Sequence, residues 1–173
     1  MSYQYPIFNQ AIDWLFSPAI EGREYHQVPG DRGGETKFGI SKRAHPDLDI
    51  PGLTDDQALA VYHKDYWLQN NCHKLPPALG WALFGGVVNH KPATAIRLLQ
   101  QSLGVKADGI NGPRTQAVAE AADPAITLVD YCSRRARFYH QIVLSDHTQA
   151  KFIRGWMKRL FHLQHSIHNA RLL

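Results

Sequence analysis

Residues 21–40 read EGREYHQVPGDRGGETKFGI and set Glu21, Asp31 and Thr36 among glycines, directly after an apolar run. Those three side chains suit hydrolysis of a glycosidic bond. One carboxylic acid protonates the leaving oxygen, a second carboxylate stands opposite, and a hydroxyl holds the attacking water. Glu21 is expected near a helix end with Trp14, Phe16 and Ile20 close by, apolar surroundings of the kind that suit a proton donor. Asp31 lies in PGDRGG, where exposed backbone N–H groups and water favour the ionised form. The competing reading is plainer: acidic residues beside glycines are usually solvated turns, and Glu24 and Glu35 are read that way.

The elements that must position these residues are mostly helical. IFNQAIDWLF puts Ile7, Ala11, Trp14 and Leu15 on one helical face, with Ile20 and Glu21 at or near its end despite Pro18. TDDQALAVYHKDYW opens with Thr54 as N-cap and two acidic residues in its first turn. Residues 79–88, 93–103, 113–121 and 124–143 follow as helices, two of them opened by prolines at 113 and 124. In the last run Phe152, Ile153, Trp156, Met157, Leu160, Leu163 and Ile167 form an apolar stripe, with Lys151, Arg154, Lys158 and Arg159 read as solvated. Only residues 25–40 suggest a short hairpin, with Gly30, Gly33 and Gly34 supplying turns. The fold class is mainly α with a small β-hairpin element near the candidate site. Residues 1–90 are read as one region and 91–173 as a helical second region, packed together as one compact unit.

With 173 residues and 44% apolar content the chain can bury a true core. No apolar run reaches the roughly 18 to 20 residues of a membrane span. MSYQYPIFNQAIDWLF lacks the basic start and cleavage site of a signal peptide, so synthesis in the cytoplasm is expected. Charge is uneven: residues 1–90 carry 7 Lys/Arg against 10 Asp/Glu, and residues 91–173 carry 12 against 5. The basic half suits an anionic polymer or surface, and its last helix could touch anionic lipid. Nucleic acid is the competing partner, but no recognition-helix pattern supports it. His162, His165 and His168 are spaced three apart without acidic or thiol company, and HExxH is absent, so no metal is expected. No GxSxG supports a serine nucleophile. Cys72 and Cys132 stand apart and read as free buried thiols, with a disulfide between them left open. Tyr66 and Trp67 offer faces for pyranose rings, although core packing suits Trp67 at least as well. Asn89 fits a helix cap or a contact to an N-acetyl group equally.

Taken together, E-G-x-x-Y followed by P-x-D-x-G-G-x-T-x-F-G-I resembles the signature of glycoside hydrolase family 108, the N-acetylmuramidases of phage endolysins and secretion-associated lysozymes. The likeness continues through Ser41-Lys42-Arg43, Tyr62, Asp65-Tyr66-Trp67, Phe84 and Val88-Asn89. LLQQSLGVKADGINGPRTQ (residues 98–116) is similar to the peptidoglycan-binding region that follows in that family, and Phe152, Gly155-Trp156 and Arg159 fit its last helix. The resemblance implies a lysozyme-like helical fold and hydrolysis of the β-1,4 bond between N-acetylmuramic acid and N-acetylglucosamine, without metal or organic cofactor. It implies Glu21 as the catalytic acid, with Asp31 and Thr36 completing the site and Tyr25, Tyr66 and Asn89 contacting substrate. It also implies a monomer acting on peptidoglycan in the periplasm, as a phage lysis enzyme exported by a holin or a dedicated secretion system. A lytic transglycosylase and a non-catalytic peptidoglycan binder are the alternatives. The chain departs from the commoner E-G-G-Y form at Arg23-Glu24, which moves Asp31 one residue later, and Phe84-Gly85-Gly86 stands where Phe-Asp is usual.

Overall fold

A computed structural model describes residues 5–27 and 34–173. Contacts divide the chain into two compact units, Met1–Asp65 and Tyr66–Leu173. Among the described residues, seven α-helices accompany one small three-stranded antiparallel sheet, so the protein is mainly α.

The first unit begins with α1 (Pro6–Leu15), whose buried side is Phe8, Ala11, Ile12, Trp14 and Leu15. Phe8 and Ile12 thus belong to the core face, and Ile7 is only half-buried. The helix stops at Leu15, earlier than the periodicity predicts. Pro18 cannot donate an N–H and its ring would strike the carbonyl four residues back. The exposed helix-end carbonyls find partners in the following turn: Ser17 Oγ donates to Trp14 O at 2.7 Å, and the Glu21 N–H to Leu15 O at 3.1 Å. Strands β1 (Tyr25–His26), β2 (Thr36–Lys37) and β3 (Ile40–Ser41) pair in that order, Tyr25 with Lys37 and Lys37 with Ile40. Then α2 (Asp55–Val61) starts on the expected Thr54, with a full capping box: Gln57 N–H donates to Thr54 Oγ1, and Thr54 N–H to Gln57 Oε1. A π-helical stretch, Tyr62–Leu68, carries the chain into the second unit.

In the second unit, α3 (Pro77–Asn89) is buried from Ala78 through Val87, as suits a helix that is apolar all round. Around it run α4 (Pro92–Ser102), α5 (Pro113–Ala121), α6 (Pro124–Ser145) and α7 (Ile153–Asn169), with α3 touching α4, α6 and α7. Proline opens α3, α4, α5 and α6, where its missing N–H costs nothing. Gly86 lets α6 approach: a Cβ there would fall inside the Tyr131 hydroxyl. The last helix departs from its predicted stripe. Its buried residues are Arg159, Leu160, Leu163 and Ile167, while Phe152 is exposed and Arg159 lies inside rather than in solvent. Cys72 and Cys132 are buried free thiols, and burial pushes the Cys132 thiol up to about 11. No helix of the described residues is long and apolar enough to cross a membrane.

Candidate active site

Glu21 rests on a glycine that the sequence reading passed over. Strands β2 and β3 are joined by the two residues Phe38 and Gly39, both at positive φ (56° and 77°), as a type I′ hairpin turn requires. A Cβ built on Gly39 would lie 2.8 Å from Glu21 Cγ, 2.9 Å from Cδ and 3.0 Å from Oε2. The carboxyl is therefore packed directly onto the bare backbone of this turn, and only glycine leaves it room. Phe38 is the unusual member, since a bulky residue at positive φ is strained. Two contacts hold it there: its ring is buried 5.2 Å from that of Phe16, and its carbonyl accepts the Tyr62 hydroxyl at 2.8 Å. Strain that is over-determined by its surroundings is a feature of positioned sites.

The other end of Glu21's loop is fixed as well. Gly22 turns the chain at φ 70°, and Arg23 pairs with Asp55 in the first turn of α2 while its guanidinium stands 5.1 Å over the Phe16 ring. Thus Arg23 ties the loop to its neighbour. Both charges are half exposed, so the pair itself is worth at most about 1 kcal/mol.

Thr36 lies in the central strand, opposite His26 on one side and Ser41 on the other, one ladder step beyond the pair that flanks the Phe38-Gly39 turn. Its side chain is half-buried. Tyr25 is exposed, and its hydroxyl donates toward Glu35 Oε2 at 3.1 Å and Gln27 Oε1 at 3.2 Å. The Tyr25 hydroxyl is held above its ordinary range by partial desolvation and by its bond to Glu35. Glu35 thus accepts a hydrogen bond at the exposed edge of the sheet. Asp31 lies outside the described residues, as do Gly30 and Gly33.

Tyr66 and Asn89 belong to the second unit. Tyr66 is half-buried, and its carbonyl accepts the Asn70 amide at 2.9 Å. Trp67 is core, 2% exposed and edge-on to Phe84 at 5.8 Å. Asn89 is the last residue of α3, and its Oδ1 accepts the Tyr139 hydroxyl at 2.5 Å. Tyr139 in turn accepts from Arg135 Nη2 at 3.2 Å, and the same Nη2 donates to Gly85 O at 3.2 Å. Arg135 is wholly buried, and nothing in its sequence position distinguishes it from the half-buried Arg134 and the exposed Arg137 beside it. Burial and the charges of Arg135 and Arg159 push His90 down to about 3, so the imidazole beside them is neutral. No three His, Cys, Asp or Glu side chains gather among the described residues as a metal would need, and His162, His165 and His168 run along α7.

Residues 16–90 match the glycosyl hydrolase 108 family, a span that starts at Phe16 and encloses Glu21, the hairpin and Asn89. The match spans a little under half of the chain, and over that span the protein resembles the glycosyl hydrolase 108 family. Residues 94–161 match a second family, described as a predicted peptidoglycan domain. No curated protein sequence matches the chain. Among solved structures, SagA of Brucella abortus superimposes with a TM-score of 0.80 at 25% identity, over 95% of each chain. The two matches together support a glycoside hydrolase acting on peptidoglycan, with the mainly helical, lysozyme-like fold expected of it.

In the region that matches the peptidoglycan domain, the structure shows what the motif residues do. In LLQQSLGVKADGINGPRTQ the buried Gln100 is a knot. Its Nε2 shares two hydrogens among Asp108 Oδ1 at 2.8 Å, Ile110 O at 3.0 Å and Thr115 Oγ1 at 3.0 Å, while its Oε1 accepts Gly109 N–H at 2.8 Å. Gly109 sits at φ 83°, and Asp108 is held below the usual carboxylate range by the Gln100 amide and the Ile110 N–H. The L-Q and D-G-x-x-G-P-x-T residues therefore shape a loop. What that loop displays is Ile110, which is largely exposed.

Proposed function

We propose that the protein is an N-acetylmuramidase that hydrolyses the β-1,4 bond between N-acetylmuramic acid and N-acetylglucosamine, with Glu21 as the general acid. The observation that carries this reading is the seating of the Glu21 carboxyl on Gly39. A general acid has to meet the glycosidic oxygen in one orientation, and here the carboxyl packs against backbone that is itself braced by Phe38, Phe16 and Tyr62. Glu21 gives its proton to the leaving oxygen as the sugar develops oxocarbenium character. A water completes the reaction and returns a proton to the site. Asp31 and Thr36 have the chemistry to activate and hold that water, and Tyr25, Tyr66 and Asn89 to contact the glycan. The phage-lysis role and the periplasmic site of action belong to the same proposal and rest on the resemblance in the loop motif.

Digestion of purified cell wall followed by mass spectrometry of the released fragments tests the reaction. Reducing-end N-acetylmuramic acid is expected; anhydro-muramic acid would make the enzyme a transglycosylase, and no release a binder. Glu21→Gln keeps the side chain's shape and removes its transferable proton, so lysis is expected to fall about 10² to 10⁴-fold in a folded protein. Near-native lysis by that variant would remove Glu21 from the mechanism.

A further inference from the structure

An open groove of about 640 Å³ runs between α4 and α6, lying wholly within the residues that match the peptidoglycan domain. Its walls are two helical faces. On α4, Arg97 and Gln101 are four residues apart; on α6, Asp130, Arg134, Arg137 and Phe138 recur at helical spacing. Three guanidiniums thus share the groove with a single carboxylate. That carboxylate is already engaged, since Asp130 accepts from Arg134 Nε at 2.7 Å. Arg97 makes only a long 3.5 Å contact to the Asp108 carbonyl, and Arg137 has no acidic partner among the described residues. Both are exposed.

This is poor chemistry for a sugar. Pyranose rings are held by open aromatic faces, and the one aromatic lining the groove, Phe138, is set edge-to-face with His90 at 5.1 Å. It is good chemistry for carboxylates, because each guanidinium presents a planar fork of N–H donors that matches a carboxylate's two oxygens. Arg97 and Arg137 project from different helices, whose packed axes are typically about 8 to 10 Å apart. Two guanidiniums on different helices suit two acid groups on one short chain.

We infer that the α4/α6 groove binds the acidic peptide stem of peptidoglycan through Arg97 and Arg137, with Arg134 held in register by Asp130. The inference rests on the reading of the protein as a peptidoglycan hydrolase and adds what its second region recognises: the peptide, not the glycan. A wall-bound enzyme would then be anchored by peptide while the glycan stays free for cleavage.

Isothermal titration of the full-length protein tests this with four probes. They are a wall tetrapeptide of alanine, γ-linked glutamate, diaminopimelate and alanine; the same peptide with its carboxylates amidated; the wall disaccharide without peptide; and phosphatidylglycerol vesicles. The free-acid peptide is expected to bind and to weaken as salt rises, and the amidated peptide and disaccharide to fail. Arg97→Gln/Arg137→Gln is expected to lower peptide affinity roughly tenfold or more. Lys106→Gln/Arg114→Gln, which removes equal charge outside the groove, is expected to bind as the parent does. Unchanged peptide affinity in a folded Arg97→Gln/Arg137→Gln protein would overturn the inference. So would equal binding of the amidated peptide or the bare disaccharide, or vesicle binding through these arginines without peptide binding. Fragment release from purified wall is scored in parallel. If release persists while the arginines prove irrelevant, the groove assignment falls alone; if neither release nor peptide binding occurs, the hydrolase reading falls with it.

Discussion

Replacing Gly39 by alanine separates positioning from stability at the candidate acid. The new methyl would stand 2.8 to 3.0 Å from three atoms of Glu21. Carbon contacts are comfortable only from about 3.5 Å, so the carboxyl has to retreat by roughly half an ångström or more. The backbone is strained too, because φ at residue 39 is 77° and an L-residue pays about 1 to 2 kcal/mol there. In a chain of this size that lowers Tm by about 2 to 8 °C. Against a typical total of 5 to 15 kcal/mol, nearly all of the protein stays folded at assay temperature. The rate should suffer far more, since a misplacement of about 1 Å at a reacting group costs on the order of 10²-fold. Gly104→Ala is the control. Its φ is 66°, similarly strained, but a Cβ there meets nothing within 4 Å. Turbidity loss of wall suspensions and thermal melts of both variants give the comparison. Similar Tm losses with activity collapsing only in Gly39→Ala are expected. A folded Gly39→Ala enzyme with parental turnover, or equal activity losses in both variants, would refute the idea that this turn seats the catalytic carboxyl.

Other residues give independent tests. Gln100→Ala removes every hydrogen bond of a buried side chain, and should destabilise the second unit by about 2 to 4 kcal/mol, seen as a lower urea midpoint. His90 is held near 3 when folded and titrates near 6.5 when unfolded. Its contribution to stability is therefore fully present above about pH 6.5 and is lost as pH falls toward 3, by at most about 1.4 kcal/mol per pH unit. His90→Gln should flatten that slope in denaturant titrations between pH 4 and 6, on the order of one pH unit per step. Trp156 stacks on Tyr139 at 4.9 Å and 20°, so Trp156→Ala should cost about 3 kcal/mol in a thermal or chemical melt. An unchanged melt would show that the stack carries no stability.

The resemblance in residues 21–40 and 98–116 was legible because it rests on residue types at fixed spacing, and those spacings encode local geometry. Pro and Gly punctuate the chain, Thr54 caps α2, and α5 and α6 begin at the prolines that open them, whereas α3 and α4 begin earlier than their apolar runs, at Pro77 and Pro92. Such features depend on neighbours within a few residues, and no fold is needed to read them. The roles inside the motifs were not legible. Gly39 drew no attention beside Gly30, Gly33 and Gly34 until folding brought Glu21, eighteen residues earlier, onto its α-carbon. Phe38 gave no sign that it would be held at positive φ, because its stabilising contacts come from Phe16 and Tyr62. Arg134, Arg135 and Arg137 are alike as letters, yet Arg135 is sealed beneath α3 while the other two line an open groove. Arg159 likewise went inside a helix face that periodicity had given to apolar residues alone. Sequence fixes local propensity and pattern at short range, whereas burial and contact follow from packing between residues far apart in the chain, so only the tertiary structure could decide which glycine seats the acid and which arginines face a ligand.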